Sequence, residues 1–227
     1  MEKFLIISHV VAGGLSLVTG LLAAFAGKKG GKLHRQVGAF FFWSMCWIFI
    51  SAVLIISFVR FSGFLLVIAV FSFYMNFSGT RVLKIKKTNT VQKIDWIAAI
   101  VTMIFGLGMV GLGIYYLVQT ENVTMGYLCL FFGFFTTNTA RINYTGFKKI
   151  GEAHKMWWWF SHMNLMVGSL IASITAFLVL NGRIFNLPSE MAWIPWVLPA
   201  IIGSPLTSYW ANKYRKQFKV GKYAASA

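Results

Sequence analysis

Long apolar stretches, separated by short polar connections, recur along almost the whole chain. Each is at least about 18 residues long, which lets an α-helix cross a hydrocarbon core of about 30 Å. Backbone groups cannot stay unpaired in hydrocarbon, and these stretches are too long and too evenly apolar for barrel strands. The pattern therefore predicts an all-α membrane bundle of about seven transmembrane helices, over 4–26, 37–59, 62–80, 95–118, 125–142, 155–181 and 191–213.

Lysine and arginine are unevenly divided between the two sides that seven spans create. The connections after spans one, three and five, together with the C-terminal segment, hold 18 of the 21 basic residues, whereas the opposite side holds Lys3, Arg60 and Arg183. Positively charged connections normally stay in the cytoplasm. We therefore predict an inner-membrane protein with its N-terminus outside and its C-terminus in the cytoplasm.

The composition leaves no room for a separate water-soluble domain. Of the 227 residues, 58% are hydrophobic and 11% are charged, whereas soluble domains carry about 25% charged residues. The net charge is +16, and the basic residues lie mostly between the apolar spans. In that position they indicate membrane topology and contact with anionic lipid headgroups rather than nucleic-acid binding. We predict a single transmembrane domain over 1–223 and a disordered tail over 224–227 that resembles an expression-vector remnant.

Glycines in the fourth predicted span indicate close helix packing. Small residues let transmembrane helices approach each other closely. We therefore expect this helix to pack tightly through Gly106, Gly108, Gly111 and Gly113.

Polar side chains within the spans gather toward the basic side of the membrane. Such residues are costly in lipid and are functional-site candidates by default. The outer half holds His9 and little else beyond hydroxyl groups. We therefore predict a polar cavity open toward the cytoplasm, with the ligand-binding candidates His9, His34, Arg35, Asn76, Arg81, Asn138, Arg141, His162 and Asn164.

The four histidines lie at different predicted depths. His9 is near the outer end of span one and His162 near the inner end of span six, so their heights differ by more than about 10 Å at 1.5 Å per residue. That makes them a poor axial pair for an upright haem. His34 and His154 lie near the inner interface, and either joins His162 only if span six is tilted or begins deeper. A metal site formed by His34, His154 and His162 is a further alternative.

Two function hypotheses follow from these residues. In the first, a non-enzymatic or accessory protein binds a lipid headgroup or small anionic ligand through guanidinium groups, which fork onto phosphate or carboxylate, and has protein partners within the membrane. In the second, a membrane oxidoreductase or hydrolase uses the histidines to hold haem, a quinone or a metal. The sequence carries no nucleophile or nucleotide-binding motif, so it leaves the cofactor and any catalytic residues unknown.

The segment from His9 to Met45 contains a histidine and a glycine on span one, followed by the sequence KGGKLHRQVG. It resembles a family of bacterial polytopic membrane proteins that is classed as a domain of unknown function and carries the pattern K-G-G-x-x-H-[RK]-x-x-G. The resemblance implies a bacterial membrane protein in which His9, His34 and His162 belong to a shared site or fold element. It implies no particular activity.

Overall fold

The computed structural model describes residues 2–25, 28–120, 122–182, 188–221 and 223. The tail predicted over 224–227 lies outside these residues. Within them, the chain forms seven long α-helices, with single 3-10 turns at Ile150–Glu152 and Ser189–Met191. The prediction of an all-α protein is confirmed, and the helices are α1 Glu2–Phe25, α2 Lys32–Phe58, α3 Gly63–Thr88, α4 Lys93–Gln119, α5 Val123–Lys148, α6 Trp157–Leu180 and α7 Ile194–Gln217.

Five of these helices are long and apolar enough to cross a membrane, namely α1, α2, α3, α4 and α6. The remaining two, α5 and α7, have 26 and 24 residues, so they are as long as the others, but neither contains a stretch that is apolar enough to join these five. The five apolar helices are consistent with an integral membrane protein.

Several helices extend beyond the predicted spans at the basic end. Helix α2 begins at Lys32, and α3 and α5 continue to Thr88 and Lys148. Hydrophobicity measures only the part of a helix that needs hydrocarbon, whereas lysine and arginine are good helix formers and continue the same helix into water. The extension places His34 and Arg35 in the first turns of α2.

The bundle exposes many large apolar side chains, and several of its fully buried residues are small and polar. Large apolar side chains such as Phe40 and Trp43 are each 68% exposed, whereas Ser16, Ser51 and Ser169 are fully buried. A soluble protein rarely presents so much contiguous apolar surface, and small or polar residues are typical of contacts between transmembrane helices. The packing therefore fits a bundle surrounded by lipid.

Helix α3 lies at the centre of the bundle. It packs against α2, α4, α5 and α6, while α1 packs against α2 and α6, and α7 packs against α6. This arrangement gives two sides: α3, α4 and α5 form one, and α1, α2, α6 and α7 surround the other.

The α4–α5 pair is joined by a glycine seam, which we define as Gly106 and Gly113 on α4 with Gly126 and Gly133 on α5. A Cβ at Gly133 would lie 2.8 Å from the backbone nitrogen of Val110, and a Cβ at Gly113 would lie 3.0 Å from the carbonyl oxygen of Gly126. Both distances are too short for a side chain, so the two backbones are in direct contact and leave no space between them.

Candidate ligand cavity

His162 is held at the basic end by a contact between α6 and α3. Its Nδ1 lies 2.8 Å from the carbonyl oxygen of Gly79. Gly79 faces α6 closely, because a Cβ there would lie 2.8 Å from Sδ of Met166 and 3.2 Å from Cβ of Leu165. The missing side chain at residue 79 therefore lets the imidazole reach the α3 backbone.

His34 is held by the end of α1. Its Nδ1 lies 3.1 Å from the carbonyl oxygen of Ala23, which belongs to the last turn of α1. Lys29 donates from Nζ to the same oxygen at 3.2 Å and also to the carbonyl oxygen of Ala24. The connection turns back through Gly30, whose φ of +75° suits glycine. The carbonyl groups at the end of α1 thus hold both Lys29 and His34 in place.

The two imidazoles approach each other. Their ring centres are 6.4 Å apart, and the ring planes make an angle of 73°. A carbonyl oxygen only accepts hydrogen bonds, so Nδ1 of His34 and Nδ1 of His162 must each carry the hydrogen. In the neutral rings, both Nε2 atoms therefore keep a free lone pair.

A cavity of about 690 Å³ lies between α1, α2, α3, α6 and α7, and both histidines line it. Volumes of this order are typical of small-molecule and cofactor sites. Its walls are largely apolar and include several aromatic side chains, with Trp159 4.2 Å from Tyr214 and Phe25 5.8 Å from Trp210 between ring centres. The aromatic side chains that line it are Phe25, Phe41, Phe42, Trp43, Trp158, Trp159, Trp210 and Tyr214.

The charge on the cavity lining has one sign. Lys29 and Arg35 line it, and among the described residues no aspartate or glutamate does. Burial lowers the pKa of Lys29 below its usual value, because the ammonium loses hydration. The Arg35 guanidinium is exposed and has no hydrogen-bond or ion-pair partner within the described part of the chain. The cavity therefore offers uncompensated positive charge to an anionic group.

Arg81, which was predicted to line the same cavity, lies elsewhere in an ion pair between α3 and α4. Its Nε is 2.7 Å from Oδ1 of Asp95 and its Nη2 is 2.8 Å from Oδ2, a bidentate contact. Nη2 also donates to Oε1 of Gln92 at 2.8 Å. Asp95 accepts in addition from the Gln92 backbone nitrogen at 2.9 Å and so caps α4. Arg81 therefore holds a helix start in place and does not reach the ligand cavity.

The predicted residues Asn76, Asn138 and Arg141 also lie outside the cavity lining. Asn76 is buried and donates from Nδ2 to the carbonyl oxygen of Phe42 at 3.2 Å, which links α3 to α2. Arg141 is exposed and donates to Oδ1 of Asn138 at 3.1 Å on the same helix. The first of these two contacts joins two helices, and the second lies on the surface of α5.

His9 and His154 are separate from the histidine pair. His9 Nδ1 lies 2.8 Å from Oγ of Ser51 and links α1 to α2, whereas His154 is exposed and accepts at Nδ1 from the backbone nitrogen of Met156. Among the described residues, no group of three or more His, Cys, Asp or Glu side chains is arranged to hold a metal ion. The metal site considered for His34, His154 and His162 is therefore not assembled.

Asn164 lines a second, smaller pocket of about 440 Å³ between α6 and α7, together with Ser204, Ser208 and Asn212. The candidates that share the main cavity are thus His34, Arg35 and His162. The sequence reasoning did not include Lys29, Trp210 and Tyr214. Two signals were present: Lys29 precedes the glycine pair before His34, and Trp210 and Tyr214 share one face of α7 at a spacing of four residues.

Comparisons with protein-family models, curated proteins and solved structures found no match. The resemblance of the His9–Met45 segment to a family of bacterial membrane proteins therefore stays a prediction.

Proposed function

We propose that this chain is a bacterial inner-membrane protein of seven spans that binds an amphipathic anion in the cavity between α1, α2, α3, α6 and α7. The observation that carries the proposal is the combination of aromatic walls with Lys29 and Arg35 at the same cavity and no described carboxylate beside them. An apolar body packs against the walls, and an acidic group contacts the two cations.

The proposed orientation rests on where the basic residues lie. Basic residues flank the α1–α2, α3–α4 and α5–α6 connections and the end of α7, and seven spans bring all of these to one side. The positive-inside tendency assigns that side to the cytoplasm. The cavity then opens near the cytoplasmic leaflet, where anionic lipid is abundant. Protein partners within the membrane remain a sequence-based prediction.

Cysteine labelling with a membrane-impermeant maleimide tests the orientation. Arg60→Cys is expected to react in intact cells, and Gln217→Cys only after the inner membrane is permeabilised. The unsubstituted protein is the blank, since Cys46 and Cys129 lie within α2 and α5. The reverse labelling pattern would overturn the orientation.

Quenching of tryptophan fluorescence by 9,10-dibromostearate tests anion binding, with the protein in phosphatidylcholine nanodiscs. Gly38 lines the cavity, and a Cβ there meets no atom within 4 Å, so Gly38→Leu places a large apolar side chain in the open space of the cavity. We expect saturable quenching that Gly38→Leu abolishes and that the uncharged dibromo alcohol does not produce.

Gly111→Leu is the matched control for that experiment. Gly111 is exposed on α4 and also has no atom near an added Cβ, but it does not line the cavity. Its quenching should equal that of the unsubstituted protein. Equal quenching in Gly38→Leu would refute the proposed function, because the acid would then reach the tryptophans from bulk lipid alone.

A further inference from the structure

We infer that the amphipathic anion is a haem, with its iron bound by His34 and His162. The inference rests on the proposed function, because haem has the required form: a flat apolar macrocycle with carboxylates at one edge. It adds an iron, which the histidine pair is arranged to bind.

The separation of the imidazoles suits two ligands of a single metal. A metal–imidazole bond is about 2 Å long and the ring centre lies roughly 1 Å beyond the nitrogen, so imidazoles on opposite sides of one metal have ring centres roughly 6 Å apart. The ring centres of His34 and His162 are 6.4 Å apart. Axial haem ligation by histidine is a common way for a protein to hold this iron.

The backbone contacts of both histidines match those of metal ligands. A ligating histidine almost always donates its other ring N–H to a carbonyl or carboxylate, which fixes the tautomer and raises the basicity of the ligating nitrogen. Here Nδ1 of His34 donates to Ala23 and Nδ1 of His162 donates to Gly79. Both Nε2 lone pairs are therefore free for the iron, and two rigid helices, α1 and α3, orient the rings.

The ligand set favours iron in a macrocycle over a bare ion. A zinc site needs three or four protein ligands, and within the described residues no third His, Cys, Asp or Glu joins this pair. Haem iron receives four equatorial nitrogens from the porphyrin and needs only two axial ligands from the protein. The pair is complete for haem and incomplete for zinc.

The remainder of the cavity fits the macrocycle. Its volume of about 690 Å³ and its aromatic walls suit a flat apolar ring. Lys29 uses two of its three ammonium donors on α1 carbonyls and keeps one, while the Arg35 guanidinium is exposed. These two cations are placed to contact the propionates.

Titration of the purified protein with haemin in phosphatidylcholine nanodiscs tests the inference. We expect stoichiometric binding with the absorption and electron paramagnetic resonance spectra of a low-spin, bis-histidine iron. His34→Gly and His162→Gly should each lose the low-spin spectrum and weaken haemin binding by at least about tenfold. Added imidazole should restore the low-spin spectrum to both variants, which also shows that they are folded. The matched control, His154→Gly, should behave like the unsubstituted protein.

Iron-free protoporphyrin IX separates this inference from the proposed function. We expect it to bind with similar affinity to the unsubstituted protein and both histidine variants, because it has the ring and carboxylates but no iron to ligate. If haemin also binds equally to all of them without a low-spin spectrum, iron ligation is refuted and the anion-binding cavity stands. If neither porphyrin binds while dibromostearate still does, haem is refuted as the occupant. A failure of dibromostearate quenching counts against the cavity itself.

Discussion

The α3–α4–α5 side and the α1–α2–α6–α7 side of the bundle differ in how closely their helices pack and in how their charges are neutralised. On the first side, the glycine seam brings α4 and α5 into backbone contact, and the Arg81 guanidinium is neutralised by Asp95. On the second side, a cavity of about 690 Å³ remains open and Lys29 and Arg35 line it with no described carboxylate beside them.

The difference separates residues that build the bundle from residues that are available to a ligand. The side chain of Asp95 is 1% exposed, and both of its carboxylate oxygens accept hydrogen bonds from Arg81. His34 and His162 use only one ring nitrogen each on the backbone. Polar residues therefore hold helices together on one side, whereas on the other side each histidine keeps a ring nitrogen that a ligand can use.

The largest expected effect comes from breaking the ion pair on the closed side. Arg81→Ala leaves the buried Asp95 carboxylate without its cation, which typically costs about 3 kcal/mol or more. Thermal unfolding in detergent should show a large fall in Tm, and the variant that does fold should bind haemin normally. Arg81→Ala combined with Asp95→Asn should recover part of the loss, since the unpaired charge is then removed. An unchanged Tm for Arg81→Ala would show that the pair is not needed for the α3–α4 contact.

The next largest effect comes from adding one methyl group to the glycine seam. In Gly133→Ala, the new Cβ would lie 2.8 Å from the Val110 backbone nitrogen, so α4 and α5 must separate. We expect a loss of about 1–3 kcal/mol, the usual cost of overpacking a well-packed core. Gly111→Ala on the same pair of helices is the control and should not lower Tm. Equal Tm values for the two variants would contradict direct backbone contact at Gly133.

The sequence predicted the helices well, because the thickness of the membrane sets the number of apolar residues that each helix needs. It predicted the basic ends less well, since α2 begins at Lys32 rather than at residue 37 and α6 begins at Trp157 rather than at residue 155. Both shifts matter for the site. They place His34 in the first turn of α2 and His162 in the second turn of α6, both near the basic end, and the two ring centres lie 6.4 Å apart.

The site itself was only partly accessible from the sequence. Arg35 and Arg81 look alike there, as basic residues beside apolar helices, and the distinction depends on Asp95 lying opposite one of them in space. The glycines of α4 show the same limit: Gly106 and Gly113 face α5, whereas Gly108 and Gly111 face open space. Composition identifies such residues, but helix rotation and helix neighbours decide what each one contacts.

A smaller effect, of opposite sign to that of Gly133→Ala, is expected for the same substitution on the open side. Gly38→Ala adds its methyl group to the cavity, where no atom lies within 4 Å. Alanine is favoured over glycine within a helix by up to about 1 kcal/mol, so Tm should rise slightly. A fall in Tm like that of Gly133→Ala would mean that α2 is packed as tightly as the seam and that the cavity is closed.

The smallest effect on stability is expected for Arg35→Gln, because the guanidinium has no partner among the described residues. Its removal should change the free energy of unfolding by less than about 0.5 kcal/mol, as for most surface substitutions. The affinity for dibromostearate should fall instead. The difference in affinity between Arg35→Gln and the unsubstituted protein should shrink at higher salt, because salt screens the attraction between Arg35 and the carboxylate. Arg35→Lys keeps the charge and should retain most of the affinity. If Arg35→Gln binds as tightly as the unsubstituted protein at low salt, then Arg35 does not contact the anionic group, and Lys29 alone supplies the charge on the open side.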